Sequence, residues 1–363
     1  MVVDKVSCKQ LLYQKSTKNQ GMKKNLVLLA CCGLLWTACQ DPVEQQSKAA
    51  LEAYQAKNLE EAIALNKKVL ELDSNNVKTY YKLAVIYQEQ GKLDQAMHYY
   101  KKILTLNPEE QAAHQYLGLL YEQQQYSQEA IEHLEKALPT TQELALVKSS
   151  LSINYALQED MPKALQYANE ALALDSNNVK ALHTLAAVAE SEGLIDVAIQ
   201  YHEQILAIDS TYTATYPIVS NLYSSAGNTQ KALYYGKKAL ETFPNNIDML
   251  NNMGFIYLNV QNYPKAMEYF EKVIVANPNY AYAYNNKASL LIAEGEYELA
   301  LAAVEKSLEL DADNAYAYKN MAICYAQLGN LEACCEALAV AQKAKFRLRL
   351  KEELLGLREE YCG

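Results

Sequence analysis

The chain has 363 residues, 50% hydrophobic and 21% charged, a balance that excludes a disordered polypeptide. Only 12 glycines and 8 prolines interrupt it, against 29 tyrosines, so helix breakers are scarce and an all-α fold is expected. The formal net charge of −10 argues against binding nucleic acid, where lysine and arginine must neutralise phosphates. Residues 1–42 read as leader and tether, residues 43–348 carry a repeat of fixed period, and residues 349–363 form an end piece. That division leaves no stretch for a separate catalytic domain.

Residues 1–21 are mostly polar and read as an upstream extension, with Met22 as the expected true start. From there Lys23 and Lys24 precede an apolar run, Leu26 to Trp36. The run is about half of the ~20 residues that a membrane-spanning helix needs. A basic start, a short apolar core and small residues before a cut describe a secretory signal over 22–38. Leu35-Trp36-Thr37-Ala38-Cys39 resembles the lipobox of bacterial lipoproteins, departing from it at Trp36. The resemblance implies cleavage before Cys39, diacylation of Cys39 and acylation of the new amino terminus, with 39–42 as a short tether. Cys31, after Leu28-Leu29-Ala30, is a rival lipobox with a shorter apolar run. An uncleaved anchor or a buried apolar helix is the plain alternative. Residues 1–38 carry six lysines and one aspartate, so cleavage leaves a body of net charge −15. Such a body would be repelled by anionic lipid, and acyl chains would hold it at a membrane instead.

Next comes the repeat. Ala62, Ala96, Ala130, Ala164, Ala198, Ala232, Ala266, Ala300 and Cys334 follow one another at intervals of 34 residues. Twelve residues before each stands a second small residue: Ala50, Ala84, Gly118, Ser152, Ala186, Ser220, Gly254, Ala288 and Ala322. Two antiparallel helices per repeat, each with a small residue at the contact, explain this pattern, because small residues let helix axes approach. Four places before the first-helix small residue stand Tyr80, Leu182, Tyr216, Leu250, Tyr284 and Tyr318. Three places after it stand Tyr87, Tyr121, Tyr155, Tyr223, Tyr257 and Tyr325. These spacings share a helical face, so much of the tyrosine excess is expected in the core.

The breakers keep the same register. Gly91, Gly193, Gly227, Gly295 and Gly329 fall at repeat position 15, where a first helix should end. Pro162 and Pro264 fall in the first turn of a second helix, and Pro108, Pro244 and Pro278 fall after one. The pattern resembles the tetratricopeptide repeat family over 43–348, most closely in repeats two (Val77 to Glu110) and seven (Ile247 to Tyr280). Repeat one departs from it, with Ala49 and Ala53 where larger residues are usual, and repeat eight has Lys287 at an apolar place. The resemblance implies a right-handed α-solenoid of about nine helix-turn-helix repeats, whose first helices line a concave groove. Arg349 to Tyr361 read as a final helix capping the last repeat.

Little in the chain points to catalysis, a metal or a cofactor. His98, His114, His133, His183 and His202 lack metal-ligand spacing, and no phosphate loop, nucleophile elbow or zinc-protease motif occurs. Cys324, Cys334, Cys335 and Cys362 cluster near the end and allow three full pairings. Cys334 replaces the packing alanine and reads as a small buried hydrophobe.

The groove is the better candidate. By the resemblance, first-helix position 6 faces it, and Asn252, Asn286 and Asn320 occupy that position in three consecutive repeats, with Asn251 and Asn285 beside two of them. An amide both donates and accepts, so such a column can pair with a peptide backbone whatever its side chains. Phe255, Tyr282 and Tyr316 offer stacking surfaces and Lys319 adds charge. The carboxylate clamp of chaperone-binding relatives fits poorly, since Lys78 and Lys82 lack the matching asparagines. The basic run Lys343, Lys345, Arg347, Arg349 and Lys351 reads as part of the cap. The expectation is a non-catalytic scaffold, lipid-anchored in the envelope of a Gram-negative-type bacterium, with a peptide or protein partner in its groove. A glycan-binding lipoprotein and a self-associating structural protein are the alternatives.

Overall fold

A computed structural model describes residues 41–138, 141–343 and 348–363. Those residues form nineteen helices and no strand, in two compact units. The first unit ends at Gln142 and holds α1 (Pro42–Gln55), α2 (Leu59–Leu72), α3 (Val77–Glu89), α4 (Leu93–Leu106), α5 (Gln111–Gln123) and α6 (Ser127–Ala137). The second begins at Glu143 with α7 (Leu144–Leu157), α8 (Met161–Leu174), α9 (Val179–Ser191), α10 (Ile195–Ile208), α11 (Thr215–Ser225) and α12 (Thr229–Thr242). It continues through α13 (Ile247–Asn259), α14 (Tyr263–Ala276), α15 (Ala281–Glu294), α16 (Tyr297–Leu310), α17 (Ala315–Gln327), α18 (Leu331–Ala341) and α19 (Leu348–Cys362). Within each unit an odd-numbered helix folds back on the even-numbered one after it, and each hairpin packs on the next. The architecture is an all-α solenoid of helical hairpins.

The small positions bring the paired helices together. Ala62, Ala96, Ala130, Ala164, Ala198, Ala232, Ala266 and Ala300 have no exposed surface, and Cys334 sits equally deep at the ninth place. A Cβ built on Gly118 would stand 2.7 Å from Leu134 Cγ, and one on Gly254 2.5 Å from Phe270 Cε1. The first-helix small residue therefore rests on position 24 of the second helix of its own repeat.

The turns obey one rule with two chemistries. Position 15 has positive φ in every repeat: 70° to 83° at Gly91, Gly193, Gly227, Gly295 and Gly329, and 58° to 63° at Lys57, Gln125, Glu159 and Gln261. A side chain in this conformation costs about 1–2 kcal/mol. Backbone bonds hold it there in repeat one, from Lys57 N to Tyr54 O at 2.9 Å and from Asn58 N to Ala53 O at 3.0 Å. Between repeats, Asp73, Asp175, Asp209 and Asp311 each accept from the backbone N–H two residues on. Asn58, Asn76, Asn178, Asn228, Asn246, Asn262, Asn314 and Asn330 cap helix starts with their side chains. Each such cap stabilises by about 1 kcal/mol. Pro162 and Pro264 sit in first turns, where their missing N–H has no helical partner to lose.

Tyrosines serve the hairpins in pairs. Tyr87 stacks on Tyr99, Tyr155 on Tyr167, Tyr223 on Tyr235 and Tyr257 on Tyr269, with centroids 5.6 to 5.8 Å apart. Lys92, Lys163, Lys231 and Lys265 lie over the first rings of all four pairs. In repeat three His133 takes the second place and stacks on Tyr121.

At the carboxyl end α19 lies against α17 and α18, burying Leu350 and Leu354. None of the three full pairings forms: a single bond, Cys335–Cys362, ties the last turn of α19 to α18. Cys324 and Cys334 are free and buried, and burial pushes the Cys324 thiol up to about 11 and the Cys334 thiol up as well. Thiols so held are inert. The leader, Cys31, Cys39, Lys345, Arg347 and the side chain of Arg349 lie outside the described residues.

Candidate functional site

The column of asparagines lies on α13, α15 and α17, the first helices of repeats seven to nine. Each position-6 amide reaches back into the preceding repeat. Asn252 Nδ2 donates to Asn221 Oδ1 at 2.8 Å, and Asn286 Nδ2 donates to Asn251 Oδ1 at 2.9 Å. Asn320 Nδ2 donates to Asn285 Oδ1 at 2.9 Å and to Ser289 Oγ at 2.8 Å. The result is a ladder between successive first helices.

Burial divides its members. Asn251, Asn285 and Asn320 are buried, while Asn252 and Asn286 are half-buried and keep access to solvent. The three buried amides are structural, since leaving any of them unpaired would cost about 1–3 kcal/mol. Asn252 and Asn286 remain open to a peptide group. Sequence reasoning missed Asn221 and Ser289, both at position 9. The signal was a polar residue one turn beyond the column in the preceding repeat.

The aromatic residues are freer. Phe255, Tyr282 and Tyr316 are 46%, 49% and 42% exposed, large apolar surfaces on the same three helices. The ring of Tyr280 lies 5.9 Å from that of Tyr282, and its hydroxyl donates to Asp248 Oδ1 at 2.9 Å. Burial and then this carboxylate push the Tyr280 hydroxyl up to about 12, so it stays protonated and holds Asp248 in place. Lys319 differs from its expected role: its ammonium lies 2.9 Å from Glu353 on α19, so its charge is directed at the cap. Lys287, at its unusual place in repeat eight, pairs with Glu271 at 3.4 Å.

Four of the five histidines meet in pairs that their sequence spacing did not reveal. His114 Nδ1 and His133 Nδ1 are 2.7 Å apart, and His114 Nε2 lies 2.9 Å from the Pro108 carbonyl oxygen. His183 and His202 meet edge to face, and His202 Nε2 lies 2.8 Å from Glu190 Oε1. Burial, followed by the neighbouring His114, holds the His133 imidazole down at about 4. Both pairs have a separation of 19 residues, the span from position 4 or 5 of a first helix to the facing turn of the second. Among the described residues no three His, Cys, Asp or Glu side chains are grouped to hold a metal ion. No described helix is long and apolar enough to cross a membrane.

Family models described as tetratricopeptide repeat match residues 77–110, 113–138, 247–280 and 269–302, and one described as TPR repeat matches 50–91. Two of these segments coincide with repeats two and seven. No curated protein matches the chain. Among solved structures, a tetratricopeptide repeat protein from Parabacteroides merdae is 18% identical with a TM-score of 0.54, over 68% of this chain and 98% of its own. A chain of the APC/C hetero-tetramer Cut9-Hcn1 is 15% identical with a TM-score of 0.50, over 82% of this chain and 59% of its own. At such identities these likenesses establish the fold. With matched segments in both units and the 34-residue register carried by small residues and turns alike, the chain belongs to the tetratricopeptide repeat family.

Proposed function

We propose that the protein is a non-catalytic scaffold that holds a peptide or protein partner on the first-helix face of repeats seven to nine. The observation that carries this reading is the exposure of Phe255, Tyr282 and Tyr316 beside a ladder whose half-buried members, Asn252 and Asn286, can still pair with a peptide backbone. Large aromatic side chains of this kind anchor interfaces because they bury much area at little entropic cost. The buried asparagines contribute rigidity, which lowers the ordering cost of binding. The signal-like segment and Cys39 support a scaffold held by lipid at a membrane of the cell envelope, a setting that suits a role in envelope assembly.

Photo-crosslinking in native membranes tests the face. A crosslinker at Tyr282 or Phe255 is expected to capture a partner that one at Tyr234, 57% exposed on α12, does not. Replacing Phe255, Tyr282 and Tyr316 by alanine should weaken capture at least tenfold, on the order of 1.4 kcal/mol or more. Undiminished capture would defeat the reading. Cys39→Ser should move the protein from the membrane to the soluble fraction.

A further inference from the structure

Repeat one has no large side chain at a contact that some hairpins fill with one. In repeats three and seven the first-helix small residue meets a large partner at position 24: Gly118 meets Leu134 and Gly254 meets Phe270. In repeat six, where both are small, Met253 of the next repeat crowds the place where Gly236 could carry a Cβ opposite Ser220. In repeat one the two positions hold Ala50 and Asn66, whereas position 24 holds a fully buried Tyr100 in repeat two and Phe270 in repeat seven. A cavity of about 230 Å³ remains between α1, α2 and α3.

Its walls are Ala50, Leu51, Val85 and Ile86 with the rings of Tyr54 and Tyr81. Asn66, 1% exposed, supplies the one buried polar group. Its Nδ2 donates to Ala62 O at 2.8 Å, while its Oδ1 is buried without a hydrogen-bond partner. A buried acceptor left unpaired is costly, and native structures hold few without a reason. Lys82 is the one charged residue of the lining.

Three features define what would fit. A dry apolar cavity of roughly 150 Å³ accepts one benzene ring, so this one has room for a fused two-ring aromatic. The orphan oxygen requires a donor on that ring system. Lys82, partly exposed in the lining, can meet an anion. We propose that the cavity of repeats one and two binds an indole bearing a carboxylate, with the ring in the apolar walls, the indole N–H on Asn66 Oδ1 and the carboxylate toward Lys82. A free indole acid and the carboxyl-terminal tryptophan of a peptide share this chemistry.

The test uses the full chain and indole-3-propionate, followed by calorimetry and ligand-observed NMR. Saturable binding with Kd on the order of 0.1 mM is expected. The 1-methyl analogue, which cannot donate, should bind at least tenfold more weakly. Asn66→Leu should abolish binding, and Lys82→Gln at the rim should weaken the acid several-fold while leaving indole itself unaffected. A short peptide ending in tryptophan that binds tenfold more tightly than the free acid, and loses this on amidation, supports the site with a partner's chain end as its source. Equal affinity of free acid and peptide supports it with a small molecule as the source. Equal binding of the 1-methyl analogue, unchanged binding by the Asn66→Leu and Lys82→Gln proteins, or no saturable binding up to millimolar concentration overturns the proposal.

Discussion

Repeats one and seven place the same two positions in contact and resolve that contact oppositely. In repeat seven Gly254 yields all of its side-chain volume to Phe270, and the ring fills the hairpin to full burial. In repeat one Ala50 faces Asn66, and a cavity of about 230 Å³ lies beside an unpaired oxygen. The surfaces differ in the same sense. Repeats seven to nine turn their polar groups on one another and expose aromatic rings, whereas repeat one turns aromatic walls inward around one polar atom. The difference teaches that a solenoid keeps its backbone register under a wide range of packing, because each hairpin is supported by its neighbours as well as by itself.

The largest effects should come from reversing the two contacts. Phe270→Ala would open a cavity in repeat seven and is expected to cost about 3–5 kcal/mol in denaturant unfolding. Asn66→Leu, at the same position in repeat one, should stabilise by about 1–2 kcal/mol, since it fills space and removes an unpaired acceptor. Equal losses from the two variants would show that the cavity is not a feature of the protein in solution.

A smaller effect should appear at the capped end. The Cys335–Cys362 bond closes a segment with a sequence separation of 27 residues. Its removal by Cys335→Ser is expected to cost about 3 kcal/mol, lost from unfolding of α19 and repeat nine. Hydrogen exchange should show that loss at α17 to α19 and leave α1 to α6 unchanged. Free thiol counts of the unfolded protein before and after reduction should differ by two from this bond.

The smallest effect is a pH slope confined to the first unit. His133 is held neutral in the fold at about 4, below its ordinary 6.5. The unfolded chain therefore binds the extra proton first, so this group's contribution to stability is complete above about 6.5 and is lost as pH falls toward 4. His133→Tyr, the residue found at this position in repeats two, four, five, six and seven, should flatten that loss. An unchanged difference between melting temperatures at pH 7 and pH 5 would contradict it.

Much of this was legible in the residues. The glycines at position 15 announced the left-handed turn in five repeats, since glycine adopts it without strain. The same turn at Lys57, Gln125, Glu159 and Gln261 was invisible locally, because there the hairpin imposes it on residues with no preference for it. The asparagine column was likewise visible as a column, but its hydrogen bonds were not. Asn252 reaches position 9 of the preceding repeat, Asn286 reaches position 5, and Asn320 reaches both. Lys319 read as groove charge until α19 brought Glu353 beside it.

The sequence by itself determined the period, the all-α architecture, the helix ends and the depth of the small residues, because these follow from side-chain size and backbone freedom at fixed spacing. Only the tertiary structure decided which asparagines are buried, which cysteines meet, which histidines touch and where space is left. Each of those depends on the distance between residues of different helices, and that distance is set by the summed packing of whole hairpins.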